Sequence, residues 1–434
     1  MKRVLSLFTF LSIVGLGLLI SKNSIQDPLG YTEMAWHVSY DGFSEKILDP
    51  AITPLNFILV ILIQRLSHIA MNNAWKILDL TFGGLSSVFL INIFWKYQRP
   101  KKFVELLLPI FIILGSLMFW YPYTASTGEG ATIFFSLIGV YLWSKYRFFQ
   151  AVPFFILSFL AKYDFYLIVP GLFISSILFL KKLETKKIKH MVISGFLILF
   201  TLIFYHFMKN GKELIDQAPY SLYSLGLKTF FLNSIPNAGS QFILSLFLGA
   251  PIAFIFFISR SKLNNIFWLC GFSSLLILIS RFYQWHYPTH IIAYMLLFTF
   301  TANDIFKLIK WRYVLLQILL VIIIIKLLPI NAFSQILIHK HLTTTESYQI
   351  ENEIRKDYHG GKIGFYMNMR LDTPFPAYEI SHLKPEWDFV IKDTEYIIVP
   401  STFIPQQVLV FKQCKYNYYS LVGRNIIYKV NCNN

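Results

Sequence analysis

Four groups of polar residues interrupt an otherwise apolar chain, and each carries a chemistry. In Asp27-Pro28-Leu29-Gly30-Tyr31-Thr32-Glu33-Met34-Ala35-Trp36-His37, a carboxylate directly after an apolar span could act as general base for an incoming hydroxyl. Asp27 followed by Pro28 equally suits the cap and first turn of a helix. Glu33 and His37, four apart, read as a solvated pair. In Tyr121-Pro122-Tyr123-Thr124-Ala125-Ser126-Thr127-Gly128-Glu129-Gly130, Glu129 between two glycines could approach a ligand's hydroxyls or assist a metal. It could also simply favour the start of the next helix. Lys162-Tyr163-Asp164 offers either a local ion pair or a point charge for a phosphate. Arg281-Phe282-Tyr283-Gln284-Trp285-His286-Tyr287-Pro288-Thr289-His290 could grip a phosphate through Arg281, with Tyr283 and His286 donating hydrogen bonds and Trp285 facing a sugar or lipid. An interfacial aromatic belt has the same composition. His286 and His290 have helical metal spacing, but Pro288 between them argues against a shared helix.

These groups need elements to hold them, and composition says which. Of 434 residues, 55% are apolar, 18% aromatic and 14% charged, well below the roughly 25% charged of a soluble domain. Mean hydropathy is +0.54. Apolar stretches approach the roughly 20 residues that cross a bilayer. They run over 4–20, 52–66, 77–95, 103–121, 130–144, 149–161, 165–180, 190–208, 241–259, 264–280, 287–306 and 313–330. The chain reads as a polytopic helical membrane protein of about 11–13 spans, the first a retained signal-anchor. Tyr31, Met34, Ala35 and Val38 share one helical face, so the loop 22–51 carries a surface helix. The net charge of +16 does not point to nucleic acid. Up to His339 there are 28 basic and 13 acidic residues, after it 11 and 10, so the excess lies in short loops and orients the spans.

The basic loops 96–102, 145–147, 181–189, 260–262 and 307–312 alternate with poorer loops, placing the latter and the tail outside the cytoplasm. One conflict arises: two crossings at 52–66 and 77–95 would put the basic loop 96–102 on the same side as 22–51. Either one segment does not cross, or this loop breaks the rule. From about Leu342 the pattern changes to short strands at 362–367, 389–392, 396–399, 407–411 and 426–430, with a helix over 351–358. The expected organisation is a membrane-embedded catalytic domain, 1–339, and a small soluble α/β domain, 340–434, on the outer side. Cys414 and Cys432 both fall in that tail.

The layout resembles the GT-C superfamily of integral-membrane glycosyltransferases, which includes protein O-mannosyltransferases and aminoarabinose transferases. The resemblance rests on Asp27 with Tyr31, Thr53-Pro54-Leu55, Ser126-Thr127-Gly128-Glu129-Gly130-Ala131, Lys162-Tyr163-Asp164-Phe165 with Pro170, and Arg281-Phe282-Tyr283 with Pro288. It implies transfer of a sugar from a polyprenyl-phosphate donor to a lipid or envelope-glycan acceptor at the outer face of a bacterial inner membrane. Asp27 would be the base and Glu129 would orient it, the acceptor or, in metal-using members, a divalent Mg or Mn ion. Arg281, with Lys162, Tyr283 and His286, would hold the departing phosphate, and Tyr31, Glu33 and Trp285 would line the substrate. Family members often pair two acidic residues where Asp27 meets Pro28, so the base lies among Asp27, Glu33 and Asp41. Lys162 stands where an Arg is usual. A polysaccharide polymerase or ligase using lipid pyrophosphates, or a lipid-linked sugar flippase, would share much of this layout.

Overall fold

Long apolar stretches dictate helices, because a helix satisfies its own backbone hydrogen bonds where water is absent. The structure, a computed structural model, describes residues 1–21, 35, 54–120, 123, 128–162, 172, 176, 184–210, 251, 288–301, 310–327, 344–366, 375, 377–380, 394–400, 414–423 and 425–432. The described helices are α1 Lys2–Ser21, α2 Pro54–Ser67, α3 Met71–Gln98, α4 Phe103–Leu114, α5 Leu117–Trp120, α6 Glu129–Ser144, α7 Phe148–Ala161, α8 Thr185–Asn210, α9 Pro288–Thr301, α10 Trp311–Leu327 and α11 Thr344–Arg355. Among the described residues, Lys2–Leu19 and Met71–Gln98 are long and apolar enough to cross a membrane. Six shorter helices are apolar as well. The expected spans at 165–180, 241–259 and 264–280 lie wholly or mostly outside the described residues.

Helix directions follow from a few contacts. Helix α1 runs antiparallel to α3, with Lys2 over the Trp95 ring, Phe10 against Gly84 and Leu80 against Gly17. At one end of the bundle the Lys145 ammonium lies 4.8 Å from the Tyr97 ring, Lys96 donates to Tyr141 Oη at 3.2 Å, and Lys187 lies 5.5 Å from the Tyr146 ring. Gln98 donates to the Phe300 carbonyl at the same end. The basic residues of four segments are thus gathered together. Helices α3, α6 and α9 run towards this end, and α7 returns from it. Phe196, Phe200 and Phe204 of α8 are exposed and stacked one above another, an apolar flank suited to lipid.

Helix α2 is short and turns back on its neighbour. Its 14 residues span only about 21 Å, short of the roughly 30 Å hydrocarbon core. Residues 68–70 fold it back on α3, so Asn56 stands near the level of Asp79 and the rest of α2 lies on the side away from the basic end. Phe57 packs edge-on against Trp75 at 5.1 Å. Phe57, Val60 and Ile61 belong to one buried cluster with Met71, Trp75 and Leu78, whereas Leu80, Leu90 and Phe94 belong to the cluster of the bundle. From Asp79 to Gln98, α3 covers about 30 Å, one hydrocarbon thickness. The expected span 103–121 is corrected too: α4 ends at Leu114, where Gly115 donates to Phe111 O, and α5 follows as a separate turn.

The tail forms a sheet of five strands, β1 Lys362–Tyr366, β2 Ala377–Ile380, β3 Thr394–Pro400, β4 Cys414–Val422 and β5 Asn425–Cys432, in the order β2-β1-β3-β5-β4. The β1 strand is parallel to both β2 and β3, while β5 is antiparallel to β3 and β4. Strands at 362–367, 396–399 and 426–430 match expectation; 389–392 and 407–411 lie outside the described residues. Strands β2 and β4 were not anticipated, since β2 is only four residues long and β4 mixes polar and aromatic residues without a clean apolar alternation. The helix expected over 351–358 starts earlier, at Thr344, and ends at Arg355. Ile350, Ile354, Ile363, Tyr396 and Ile398 share their buried cluster with Phe57, Met71 and Trp75. The tail therefore stands at the end of the molecule opposite the basic residues.

Candidate active site

Four helix ends meet at that opposite end of the bundle. Gly128 adopts φ 69°, a left-handed conformation open to glycine, and α6 begins at Glu129. Asp79 of α3 accepts the Gly128 N–H at 2.9 Å and the Gly130 N–H at 3.0 Å. One carboxylate thus satisfies two amides that α6 leaves unpaired at its first turn. Gly130 is required for a second reason, since a Cβ there would lie 2.5 Å from the Asp79 carbonyl oxygen. Asn56 of α2 donates to the Gly128 carbonyl at 3.0 Å and to the Ala161 carbonyl at 2.8 Å, joining the start of α6 to the end of α7. Each backbone segment next to Glu129 is therefore held by a side chain from another helix.

Glu129 is fully buried, and its two oxygens are divided between two partners. The Lys162 ammonium donates to Oε1, and His290 Nε2 meets Oε2. A carboxylate can only accept, so His290 carries its proton on Nε2 here. Lys162 is the C-cap of α7, its N–H donating to Ser158 O, and a cation is favoured at that negative helix end. Glu129 sits at the first residue of α6 and faces His290 in the first turn of α9, so two positive helix ends oppose its charge. Pro288 opens α9, a position where its missing N–H costs nothing. These matched helix ends are what make burial of the charges tolerable.

Of the expected site residues, Glu129 and Lys162 are brought together although 33 positions apart. Asp27, Tyr31, Glu33, Asp41, Arg281, Tyr283, Trp285 and His286 lie outside the described residues. Asp164 does too, so the local pair considered for Lys162 is not described, whereas its pair with Glu129 is. Three participants were missed. Asp79 had a usable signal, because an acidic residue inside an apolar span points to a functional site. His290 had been weighed only as a metal ligand with His286, which lies outside the described residues, and its contact with Glu129 was not anticipated. Asn56 carried no signal beyond being an amide near the start of an apolar helix.

A divalent ion at Glu129 would have the Lys162 ammonium as its immediate neighbour, and both Asp79 oxygens already serve backbone amides. These residues do not fit a metal site. No group of three or more His, Cys, Asp and Glu suited to a metal occurs among the described residues. What the cluster does provide is a buried arrangement of carboxylate, ammonium and imidazole.

No protein-family profile matches the chain, and no curated protein does. Among solved structures, the chain is similar to ArnT from Cupriavidus metallidurans, whose crystal structure was determined bound to undecaprenyl phosphate. The likeness has a TM-score of 0.58 at 9% sequence identity, covering 98% of this chain and 97% of that one. Over nearly its whole length, then, the chain shares the overall fold of that structure.

Proposed function

We propose that the protein is a membrane glycosyltransferase that moves a sugar from a polyprenyl-phosphate carrier to a lipid or envelope-glycan acceptor. The observation that carries this reading is the buried Glu129, Lys162 and His290 cluster, set at the non-basic end of a bundle with the fold of ArnT. The gathered lysines mark the cytoplasmic end by the positive-inside rule. The cluster and the tail then face the periplasm or exterior, with residues 1–339 as the membrane domain and 340–434 as an outer domain. The roughly 30 Å of α3 between Asp79 and Gln98, about one hydrocarbon thickness, supports a cluster at the outer boundary, where a lipid-borne phosphate sits.

In this reading the acceptor hydroxyl attacks the anomeric carbon, and the bond from that carbon to the phosphate oxygen breaks. Asp27, or Glu33 or Asp41 in its place, takes the hydroxyl proton. Arg281 stabilises the charge that develops on the departing phosphate, with Tyr283 and His286 beside it, while Tyr31, Glu33 and Trp285 line the substrate. Glu129 holds Lys162 and His290 in place, so that their charge and N–H groups are preorganised rather than free to swing. This role does not call on Glu129 as a base or on a divalent cation.

The test is transfer of radiolabelled sugar from polyprenyl-phosphate donors into a membrane fraction, comparing the intact protein with Asp27→Asn, Arg281→Ala and Glu129→Gln at equal expression. Transfer abolished by all three supports the reading. Transfer from no donor tried would favour the polymerase or flippase alternatives, and transfer that survives Asp27→Asn would move the base to Glu33 or Asp41.

A further inference from the structure

Around the Glu129 cluster, three buried polar atoms have no hydrogen-bond partner among the described residues: Asn56 Oδ1, the Tyr123 hydroxyl and Thr132 Oγ1. Their residues are at most 1% exposed. Folded proteins rarely leave such atoms unpaired, and the exceptions ask for an explanation. All three are tied to the site. Asn56 spends its amide N–H groups on Gly128 and Ala161, so its carbonyl oxygen remains. Thr132 follows Glu129 by three positions, on the same face of α6. Tyr123 lies with its ring against Gly83, where a Cβ would come within 2.3 Å of it, and Gly83 follows Asp79 by one helical turn. Phe119 meets the Tyr123 ring edge-on at 5.8 Å.

We infer that Asn56, Tyr123 and Thr132 form the subsite for the sugar of the donor, an inference that rests on the glycosyltransferase reading. The chemistry separates sugar from phosphate. A carbonyl oxygen only accepts hydrogen bonds, so Asn56 Oδ1 repels an anion but receives a sugar hydroxyl. The Tyr123 and Thr132 hydroxyls both donate and accept, which matches a polyol. Phosphate belongs with the cations, Lys162 and Arg281. The site thus divides into an uncharged part that reads hydroxyls and a cationic part that holds the carrier.

The test is equilibrium binding by the purified full-length protein in detergent, using bare undecaprenyl phosphate and undecaprenyl phosphate carrying glucose, mannose or an aminopentose. Tyr123→Phe and Thr132→Val, which preserve shape, are compared with wild type, and each ligand-free melting temperature is measured. The expected result is unchanged affinity for bare undecaprenyl phosphate, about five- to tenfold weaker binding of a glycosylated lipid for each lost hydrogen bond, and a melting temperature that is equal or higher. Equal affinity of wild type and variants for every glycosylated lipid overturns the subsite. So does parallel loss of both ligands with a lowered melting temperature, which makes the hydroxyl structural. Wild type that binds bare carrier but no glycosylated lipid overturns the subsite alone; wild type that binds no lipid at all overturns the donor reading and the subsite with it.

Discussion

The carboxylate of Glu129 and the ammonium of Lys162 form an ion pair that is almost wholly buried, with side-chain exposures of 0% and 6%. The pair joins the first residue of α6 to the residue that ends α7. A buried pair of this kind adds little net stability over apolar residues, but removing one partner strands the other. Lys162→Met or Glu129→Gln should each therefore cost about 3–5 kcal/mol, read as a fall in melting temperature in detergent. The combination of both should recover much of that loss without recovering sugar transfer. Single variants as stable as wild type would mean that the pair is solvated.

Asp79 acts on Glu129 through the backbone, by accepting two N–H groups on either side of it. Gly130→Ala adds a methyl group against the Asp79 carbonyl, and the helix must shift to admit it. A loss of about 1–3 kcal/mol is expected, together with a loss of transfer larger than the change in folded fraction explains. Gly15→Ala is the control, since a Cβ there meets nothing within 4 Å. Equal behaviour of the two variants would remove the close approach from the argument.

In the tail, the Lys429 ammonium and the His359 imidazole beside Asp357 hold its carboxyl below the usual carboxylate value of 3.8. A carboxyl whose folded value is depressed contributes stability that is fully present above the unfolded value and is lost as pH falls through the folded one. The Asp357 contribution should therefore be intact above about pH 4 and fade in more acidic solution. Melting of the full chain against pH, for wild type and Asp357→Asn, should give curves that differ at neutral pH and converge at low pH. Curves that stay parallel would show that Asp357 is not the responsive group.

Cys414 and Cys432 stand directly opposite in the antiparallel β4–β5 pair. Opposed Cα atoms in such a ladder are about 4.5–5.5 Å apart, inside the range that a disulfide bridges. On the proposed orientation, which sets the tail outside the cytoplasm, the expected state is a bonded pair. Mass spectrometry of the non-reduced protein should show the two cysteines linked and Cys270 free. Two free thiols in protein taken from its native membrane would argue against an oxidising location for the tail.

Much of the architecture was legible because its causes are local. Hydropathy over a window of residues marks a helix whatever surrounds it, so α1, α6, α7 and α10 fell close to their expected bounds, and alternating apolar residues marked β1, β3 and β5. Glu129 stood out as a charge between two glycines at the mouth of an apolar helix, and Lys162 as a cation breaking another apolar stretch. Their partners were not legible. Glu129 meets Lys162 across 33 positions and His290 across 161, and Asp79 meets Gly130 across 51. No periodicity links such distances, because the contacts exist only once helices have packed.

The same reason governs α2. Its composition is that of a short membrane span, and composition alone left its crossing open. Only the packed structure shows the fold back at residues 68–70 and the burial of Phe57 and Val60 with the tail's core rather than the bundle's. Sequence determined that this chain is a series of apolar helices with basic loops and a mixed tail, since hydropathy and charge belong to each segment by itself. Only tertiary structure decided which buried charges neutralise one another, because a charge is tolerated in a dry interior by the group placed against it, and that group is chosen by packing.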